Sequence, residues 1–467
     1  MPLRLFNSMG RKLSLFKPMK AREARMYTCG PTVWNYAHVG NFRTFLFEDV
    51  LRRYLLYKGF TVTQVMNITD VEDKIIKGMK QFHMTREELV DFYEAAFMKD
   101  LEALNIEKAE HYPRATDNIP EMVSLIKTLV RKKYAYKSED GSYYFAVSKF
   151  KKYGALSGVR TAKLRSGARV KQDSYDKAEA YDFALWKAWD PADGDVFWET
   201  DLGKGRPGWH IECSAMSMKY LGESFDIHTG GVDNKFPHHE NEIAQSEAAT
   251  GKKFVKYWMH SEFLNVRGEE MHKSSGNIVT VRELLKQGWK PRAIRLFLVG
   301  GHYRESLNLT DESLAQAEAN IERMDQFVRR LQGVRAGKDG GKSAKITLSF
   351  LEDFEHSMDD DLNVPLALAA LFRYQRGVNS LIDAGEMSKP EADEALATLK
   401  RVDQVLGVMR FEDAASVSSG ILKLIEQREE ARKRKDYRRA DEIRVELKNQ
   451  GIIVQDTPSG PVWTREQ

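Results

Sequence analysis

Two stretches of this chain, roughly 24–70 and 208–250, carry the same alternation of strand-like and helix-like patterns, and nothing else in it constrains the fold as much. Residues 24–30 read as a strand running into Gly30-Pro31-Thr32. A helix is expected from about Arg43 to Lys58, because Phe45, Val50, Leu51, Tyr54 and Leu55 share one broad face and Gly59 stops the run. The β-branched run Thr61–Met66 reads as the next strand, and Asn67-Ile68-Thr69-Asp70 leads into a second helix. After Gly208 the pattern resumes with a helix, the strand Phe225–His228, Gly230-Gly231, and a helix from Pro237, a residue suited to a first turn. Strand–helix–strand units pack as right-handed parallel crossovers, so the expected class is α/β with a doubly wound, Rossmann-type parallel sheet.

At 467 residues the chain is long enough for several domains. The two halves of the sheet domain are expected at 1–110 and 201–310, separated by an α+β insertion at 111–200 that holds Tyr143–Val147. Helical periodicity over Leu314–Leu331 and Phe350–Gly407 places a helical bundle at 311–412, with a connection at Val334–Ala344 rich in Gly, Lys and Ser. A joint at Ala414–Ser419 precedes a small C-terminal domain at 420–467, and no internal repeat is visible. Apolar content is an ordinary 42%, with no run of about 20 apolar residues, so no membrane span is expected. The start of the chain lacks the apolar segment of a secretory leader. Two cysteines cannot build a disulfide framework for this length, which fits a reducing, cytoplasmic setting. A net charge of +4 permits a nucleic-acid partner without demanding one.

Those two cysteines stand in the two halves. Cys29 ends the first strand, and Cys213 lies in Gly208-Trp209-His210-Ile211-Glu212-Cys213. Phe236-Pro237-His238-His239-Glu240-Asn241-Glu242 follows, with His238 and Glu242 four apart on one helical face. Two thiolates, an imidazole and a carboxylate form a credible tetrahedral zinc shell. Spacing alone leaves the bland reading open, in which each cysteine is a small core hydrophobe.

His38-Val39-Gly40-Asn41 sits between the first strand and its helix, where helix-terminal amides meet phosphates. Glu270-Met271-His272-Lys273-Ser274-Ser275-Gly276-Asn277 is a polar stretch just before a helix starting near Val281. Each is weak alone. In this order they resemble the His-Ile-Gly-His and Lys-Met-Ser-Lys-Ser signatures of class I aminoacyl-tRNA synthetases. Met26–Val33, Asn67–Asp70, Gly205–Cys213 and Phe236–Glu242 are similar to the cysteinyl-tRNA synthetase family, and the similarity runs from Leu5 to Trp463.

The resemblance implies a ligase that activates L-cysteine with ATP and Mg2+ and transfers it to tRNA(Cys). It implies one zinc ion per chain on Cys29, Cys213, His238 and Glu242, reading the substrate thiol. It makes the sheet domain catalytic, with His38, Asn41 and Lys273 as catalytic and ATP-binding residues. Gly231 and Asp233 fall on the ribose side, and Thr69 and Trp209 around the substrate. The C-terminal domain becomes the anticodon reader, with Arg432, Tyr437, Asp441, Asp456 and Trp463 as tRNA contacts. Residues 428–448 there hold nine Lys or Arg against six acids. A monomer is expected, with no membrane partner. Asn41 stands where the signature has its second His, and Glu270 and His272 where the loop has Lys and Ser. The competing expectations are a ligase of the same fold joining cysteine to an amino sugar, a weakened synthetase homologue that only binds tRNA, and a structural zinc protein. The C-terminal end argues against the first, and the two departures motivate the second.

Overall fold

Strands β3 (Glu23–Thr28), β4 (Thr61–Met66), β10 (Phe225–Gly231) and β11 (Val255–Ser261) pair in parallel, in the order β11-β10-β3-β4. This is the Rossmann-type sheet expected, with the two separate segments of the sheet domain meeting at its centre. Ile227, His228 and Thr229 of β10 lie beside Met26, Tyr27 and Thr28 of β3. Six consecutive residues of β10 are buried, as strands covered on both faces must be. The computed structural model describes residues 2–159, 182–271, 277–335, 337, 341–411, 419–450, 452–457 and 460–465.

The crossover helix α1 (Val39–Tyr57) starts four residues before the apolar pattern begins at Arg43. The reason is its cap. His38 Nδ1 accepts from the Asn41 amide at 3.2 Å, and Asn41 Oδ1 accepts from the His38 amide at 3.1 Å. This reciprocal box satisfies two amide donors that a helix start leaves orphaned. Helices α2 (Asp73–Phe82) and α3 (Arg86–Ala103) follow β4. A hairpin of β1 (Arg4–Asn7) and β2 (Lys12–Leu15) precedes β3.

The insertion contains α4 (Ile119–Arg131) and an antiparallel sheet of β5 (Ala135–Lys137), β6 (Tyr143–Phe145), β7 (Phe183–Ala188), β8 (Trp198–Thr200) and β9 (Gly203–Pro207). Its sheet extends past the expected boundary at residue 200, because β9 pairs with both β7 and β8. Tyr27, Ile119, Phe145, Trp186 and Phe225 belong to one buried cluster, so the insertion and the parallel sheet share a core. Beyond it lie α5 (Trp209–Leu221) and α6 (His238–Thr250). A second small sheet joins β12 (Leu264–Val266), β13 (Glu269–Glu270) and β14 (Leu307–Leu309), with α7 (Val281–Lys286) and α8 (Pro291–Gly300) between the last two.

The expected long helical runs resolve into α9 (Asp311–Gly333), α10 (Lys342–Asp359), α11 (Val364–Asp383) and α12 (Lys389–Leu406). The breaks fall where Asp361 (φ 61°), Leu362 (φ 56°) and Gly385 (φ 67°) take left-handed conformations that end a helix. The chain divides into two compact units, residues 1–321, 349–372 and 403–408 in one and 322–348, 373–402 and 409–467 in the other. In the second unit, α13 (Ser419–Lys433), α14 (Tyr437–Asn449) and the hairpin β15 (Ile452–Thr457)–β16 (Gly460–Arg465) enclose Ile421, Ile425, Ile443, Leu447, Ile452 and Val454. Among the described residues no helix is long and apolar enough to cross a membrane.

Two acids on α1 are fully buried and fare differently. Asp49 accepts from Arg295 Nη2 (2.6 Å), Arg53 Nε (2.8 Å) and the Glu107 amide (2.9 Å). Asp49→Ala leaves the buried Arg295 guanidinium without its carboxylate and should destabilise the first unit by about 3–5 kcal/mol, read as a lower urea midpoint. Glu48 has one partner for Oε1, the Thr229 hydroxyl at 2.7 Å, and none for Oε2 among the described residues. Burial pushes its carboxyl up to about 8. The folded chain therefore keeps a proton that the unfolded chain releases near pH 4–5, and this group makes stability fall as pH rises toward 8. Glu48→Gln removes that dependence. Its gain in melting temperature over the parent should widen between pH 5 and pH 8, and a constant difference would contradict the assignment.

Candidate metal centre and nucleotide cleft

Cys29 follows the carboxyl end of β3, the edge where open α/β sheets place their ligands. Its amide donates to Thr229 O at 3.3 Å, so the register of β3 on β10 fixes it. Cys213 lies in the second turn of α5, and His238 and Glu242 lie one turn apart on α6. Cys29, Cys213, His238 and Glu242 are all buried, and their ligand atoms lie within 4.8 Å of one another. Glu242 Oε1 stands 3.1 Å from His238 Nε2 and 4.0 Å from Cys29 Sγ. The four residues named from spacing are thus brought together, from three segments of the chain.

The fold adds donors that spacing did not reveal. Cys29, His228, His239 and Glu242 form a second set that meets the same distance criterion. The sets share Cys29 and Glu242, so they are alternatives for one ion. The first fits zinc better, since its two sulfurs are the softer donors. Its imidazole is also prepared on the far side, where His238 Nδ1 and His210 Nδ1 are 2.8 Å apart, leaving Nε2 for a metal. His228 Nε2 meets Glu242 Oε2 at 2.9 Å, and His239 Nε2 meets Cys29 Sγ at 3.2 Å. His239 Nδ1 in turn meets His260 Nε2 at 2.9 Å, and His260 Nδ1 meets Ser8 Oγ at 2.8 Å.

Burial holds the two thiols and the His238 imidazole of this set in their neutral forms. Burial pushes the Cys29 thiol well above its ordinary range, with Cys213 and Glu242 adding to the effect, and it raises Cys213 too. Burial pulls His238 down to about 3 and His260 to about 3, against the opposing pull of Glu242 on His238. Such a pocket disfavours thiolates, and a divalent cation is what reverses that preference.

Trp209 opens α5 and stacks on the His238 ring, centroids 4.1 Å apart and planes at 28°. Thr69 is fully buried. Its hydroxyl donates to Glu212 Oε2 at 3.0 Å and accepts from Asn67 Nδ2 at 3.1 Å, so both its bonds stay within the protein wall.

At the start of α1, the Val39 amide donates to Val279 O at 2.9 Å and His38 bridges to Thr280. The segment leaving β13 arrives here as well. A Cβ on Gly40 would lie 2.6 Å from Met271 Cε, so the Met271 methyl packs directly on the Gly40 backbone. Lys273 lies outside the described residues, while Met271 and Asn277 on either side of it are placed, the latter donating to Glu270 O at 2.8 Å. Gly231 ends β10, and a Cβ there would meet Asp233 Oδ1 at 2.3 Å. The first unit therefore gathers the donor set, Trp209, His38, Asn41, Gly231 and Asp233 at the carboxyl edge of its sheet.

The remaining named residues lie in the second unit. Arg432 is half-buried near the end of α13, and Tyr437 and Asp441 are exposed one turn apart on α14. Asp456 is on β15 and Trp463 on β16, where Trp463 pairs with Val454; their side chains lie outside the described ones. The residues that sequence reasoning missed are His210, His228, His239 and His260. The doubled His238-His239 was their only signal, since one face of α6 cannot carry both rings.

Three family profiles match the chain in order. They describe a class I (C) tRNA synthetase catalytic domain at residues 15–319, a DALR domain at 353–410, and a cysteinyl-tRNA ligase anticodon binding domain at 415–463. The cysteine–tRNA ligase of Protochlamydia amoebophila is 44% identical over 463 residues, spanning 98% of this chain and 97% of that one. That of Brachyspira hyodysenteriae is 46% identical over 475 residues, spanning 99% of each. Among solved structures, Mycobacterium tuberculosis methionyl-tRNA synthetase with methionyl-adenylate superposes with a TM-score of 0.61 at 15% identity, covering 83% of this chain and 90% of that one. At that identity the likeness concerns the fold.

Proposed function

Because this chain belongs to the cysteine–tRNA ligase family, it joins L-cysteine to tRNA(Cys) at the expense of ATP, and we propose that a single zinc ion on Cys29, Cys213, His238 and Glu242 reads the substrate's sulfur. The observation that carries this reading is the buried four-donor cluster at the sheet's carboxyl edge. Cysteine and serine differ by one atom, which shape alone separates poorly. Zinc supplies a soft Lewis acid that favours a thiolate over a hydroxyl and so discriminates without an editing domain. Trp209, held face-on against the His238 ring, shields one side of that pocket from water. Thr69 acts through Glu212, as part of the pocket's wall.

Activation is attack of the cysteine carboxylate on the α-phosphorus of ATP, which enters with Mg2+; pyrophosphate leaves and cysteinyl-adenylate remains. The 2′-hydroxyl of the tRNA's terminal ribose then attacks the acyl carbon and releases AMP. Neither step needs a covalent enzyme intermediate, so positioning and charge stabilisation carry the chemistry. His38 Nδ1 accepts the Asn41 amide, so the neutral ring carries its proton on Nε2 as a donor for phosphate oxygens. Asn41 supports the phosphates indirectly by fixing that ring. It fills the place of the second signature His by completing the cap. Gly231 and Asp233 form the ribose side, and Lys273 meets the leaving pyrophosphate. In the second unit, Arg432, Tyr437, Asp441, Asp456 and Trp463 contact the anticodon, with the exposed Tyr437 ring available for base stacking. The enzyme acts as a monomer in the cytoplasm, whose reducing conditions suit two unpaired buried thiols.

Cys213→Ser should lower zinc content and cysteine-dependent ATP–pyrophosphate exchange together. Elemental analysis finding no zinc in fully active enzyme would sink the metal assignment. A chain ending at Val408 should retain exchange but bind tRNA weakly, and full-length binding should fall steeply with salt as phosphate contacts release counterions. If the shortened chain charges tRNA as well and as selectively as the intact one, the anticodon assignment is wrong.

A further inference from the structure

Arg43 lies in the second turn of α1 and is only 2% exposed. Its four hydrogen bonds all go to main-chain carbonyls. Nε donates to Glu262 O (3.3 Å), Nη1 to Leu298 O (3.1 Å), and Nη2 to His302 O (2.9 Å) and Glu305 O (2.5 Å). A planar fork of five donors can bind four carbonyls on separate segments at once; an ammonium cannot match that geometry. Thr44, the next residue, adds a hydroxyl pair with Ser261 at 2.7 Å.

The segments held this way have something in common. Glu262 stands just before β12, and His302 and Glu305 just before β14, which pairs with β12 through Leu264–Leu307. On its other side β12 pairs with β13 through Asn265–Glu270, and the residue after Glu270 is Met271, whose methyl rests at Gly40. Arg43 is therefore the rivet between the helix that begins at His38 and the small sheet that delivers Met271 to it. The Thr44–Ser261 pair, the Val39 amide to Val279 O, the His38–Thr280 bridge and the stacking of Phe47 on Tyr303, centroids 4.2 Å apart, also tie α1 to the segments around this sheet.

We propose that Arg43 is a positioning residue for the activation step, setting the register between the His38 end of α1 and the β12–β14 sheet so that both meet the nucleotide's phosphates together. The proposal rests on the reading of the His38 end as the phosphate site. Pyrophosphate departs in the first step only. A misplacement of this register should therefore slow activation and leave acyl transfer to tRNA intact. Displacing a pre-organised group by about 1 Å lowers a rate by roughly 10²-fold.

The test uses full-length enzyme with concentrations normalised by active-site titration. Arg43→Lys and Arg43→Gln are compared with Arg295→Lys. Arg295 is equally buried and also binds carbonyls, those of Leu104, Asn105 and Leu406, away from the β12–β14 sheet. Expected for the Arg43 variants is a fall of roughly 10–10²-fold in kcat for ATP–pyrophosphate exchange, with KM for cysteine and zinc content unchanged. Single-turnover transfer from preformed cysteinyl-adenylate should keep the parental rate. Arg295→Lys should lower the melting temperature without changing exchange per active site. Thr44→Val, which keeps shape and loses the hydroxyl pair, should slow exchange in the same direction by less, and it carries the test if the Arg43 variants do not fold. Equal losses in both steps, or a loss accounted for by missing active sites, would overturn the proposal. An unchanged exchange rate in His38→Ala would instead remove the phosphate-site reading beneath it.

Discussion

Everything at this site depends on one piece of main-chain pairing, the parallel register of β3 on β10. It places Thr28 beside Thr229 and lets the Cys29 amide bond Thr229 O, although the two strands lie about 200 residues apart in the sequence. From that register Cys29 faces Glu242, His228 falls within 2.9 Å of the same carboxylate, and Gly231 reaches the level of α1. A slip by one residue would turn His228 and Cys29 to the opposite faces of the sheet. The insertion secures the arrangement, because its aromatic residues share the core that covers β3 and β10.

Much of this was legible from residue patterns, for identifiable reasons. Parallel strands buried on both faces and crossover helices leave strong local periodicities. A helix also maps i and i+4 onto one face, so His238 and Glu242 could be paired before any coordinates. The second layer was not legible. His210 reaches His238 by packing α5 on α6, and His260 reaches His239 from β11, contacts that no spacing encodes. The start of α1 was misplaced because a cap is a matter of side-chain chemistry, and the apolar pattern begins only where the helix meets the core. The bond by which the Thr69 hydroxyl is held to Glu212 was likewise invisible in the sequence. Arg43 left no signal at all, since carbonyl partners have no letter in a sequence.

Helix α1 shows how one element can serve chemistry and cohesion at once. Its first turn presents His38, and its second turn carries Arg43, tied to the β12–β14 sheet. Further along, Asp49 and Arg53 join Arg295 and the carbonyls of Asn105 and Gln404. Several buried charges of the first unit thus lie along one helix, and most of these are satisfied by main chain or by each other. Glu48 differs from the others on this helix, since burial holds its carboxyl up at about 8. In the second unit the exposed face of α14 holds Tyr437, Asp441 and the pair Arg438–Glu442.

The chain has two cysteines, and both sit in the donor cluster. An enzyme that supplies translation with cysteine is itself translated from that supply. If it mischarged serine, the error would return at positions 29 and 213 of its own successors, replacing a sulfur in the cluster proposed above to read the substrate's thiol. On that proposal each such copy would hold its ion less tightly and select less well. Restricting cysteine to these two positions keeps that inheritance of error to a small target.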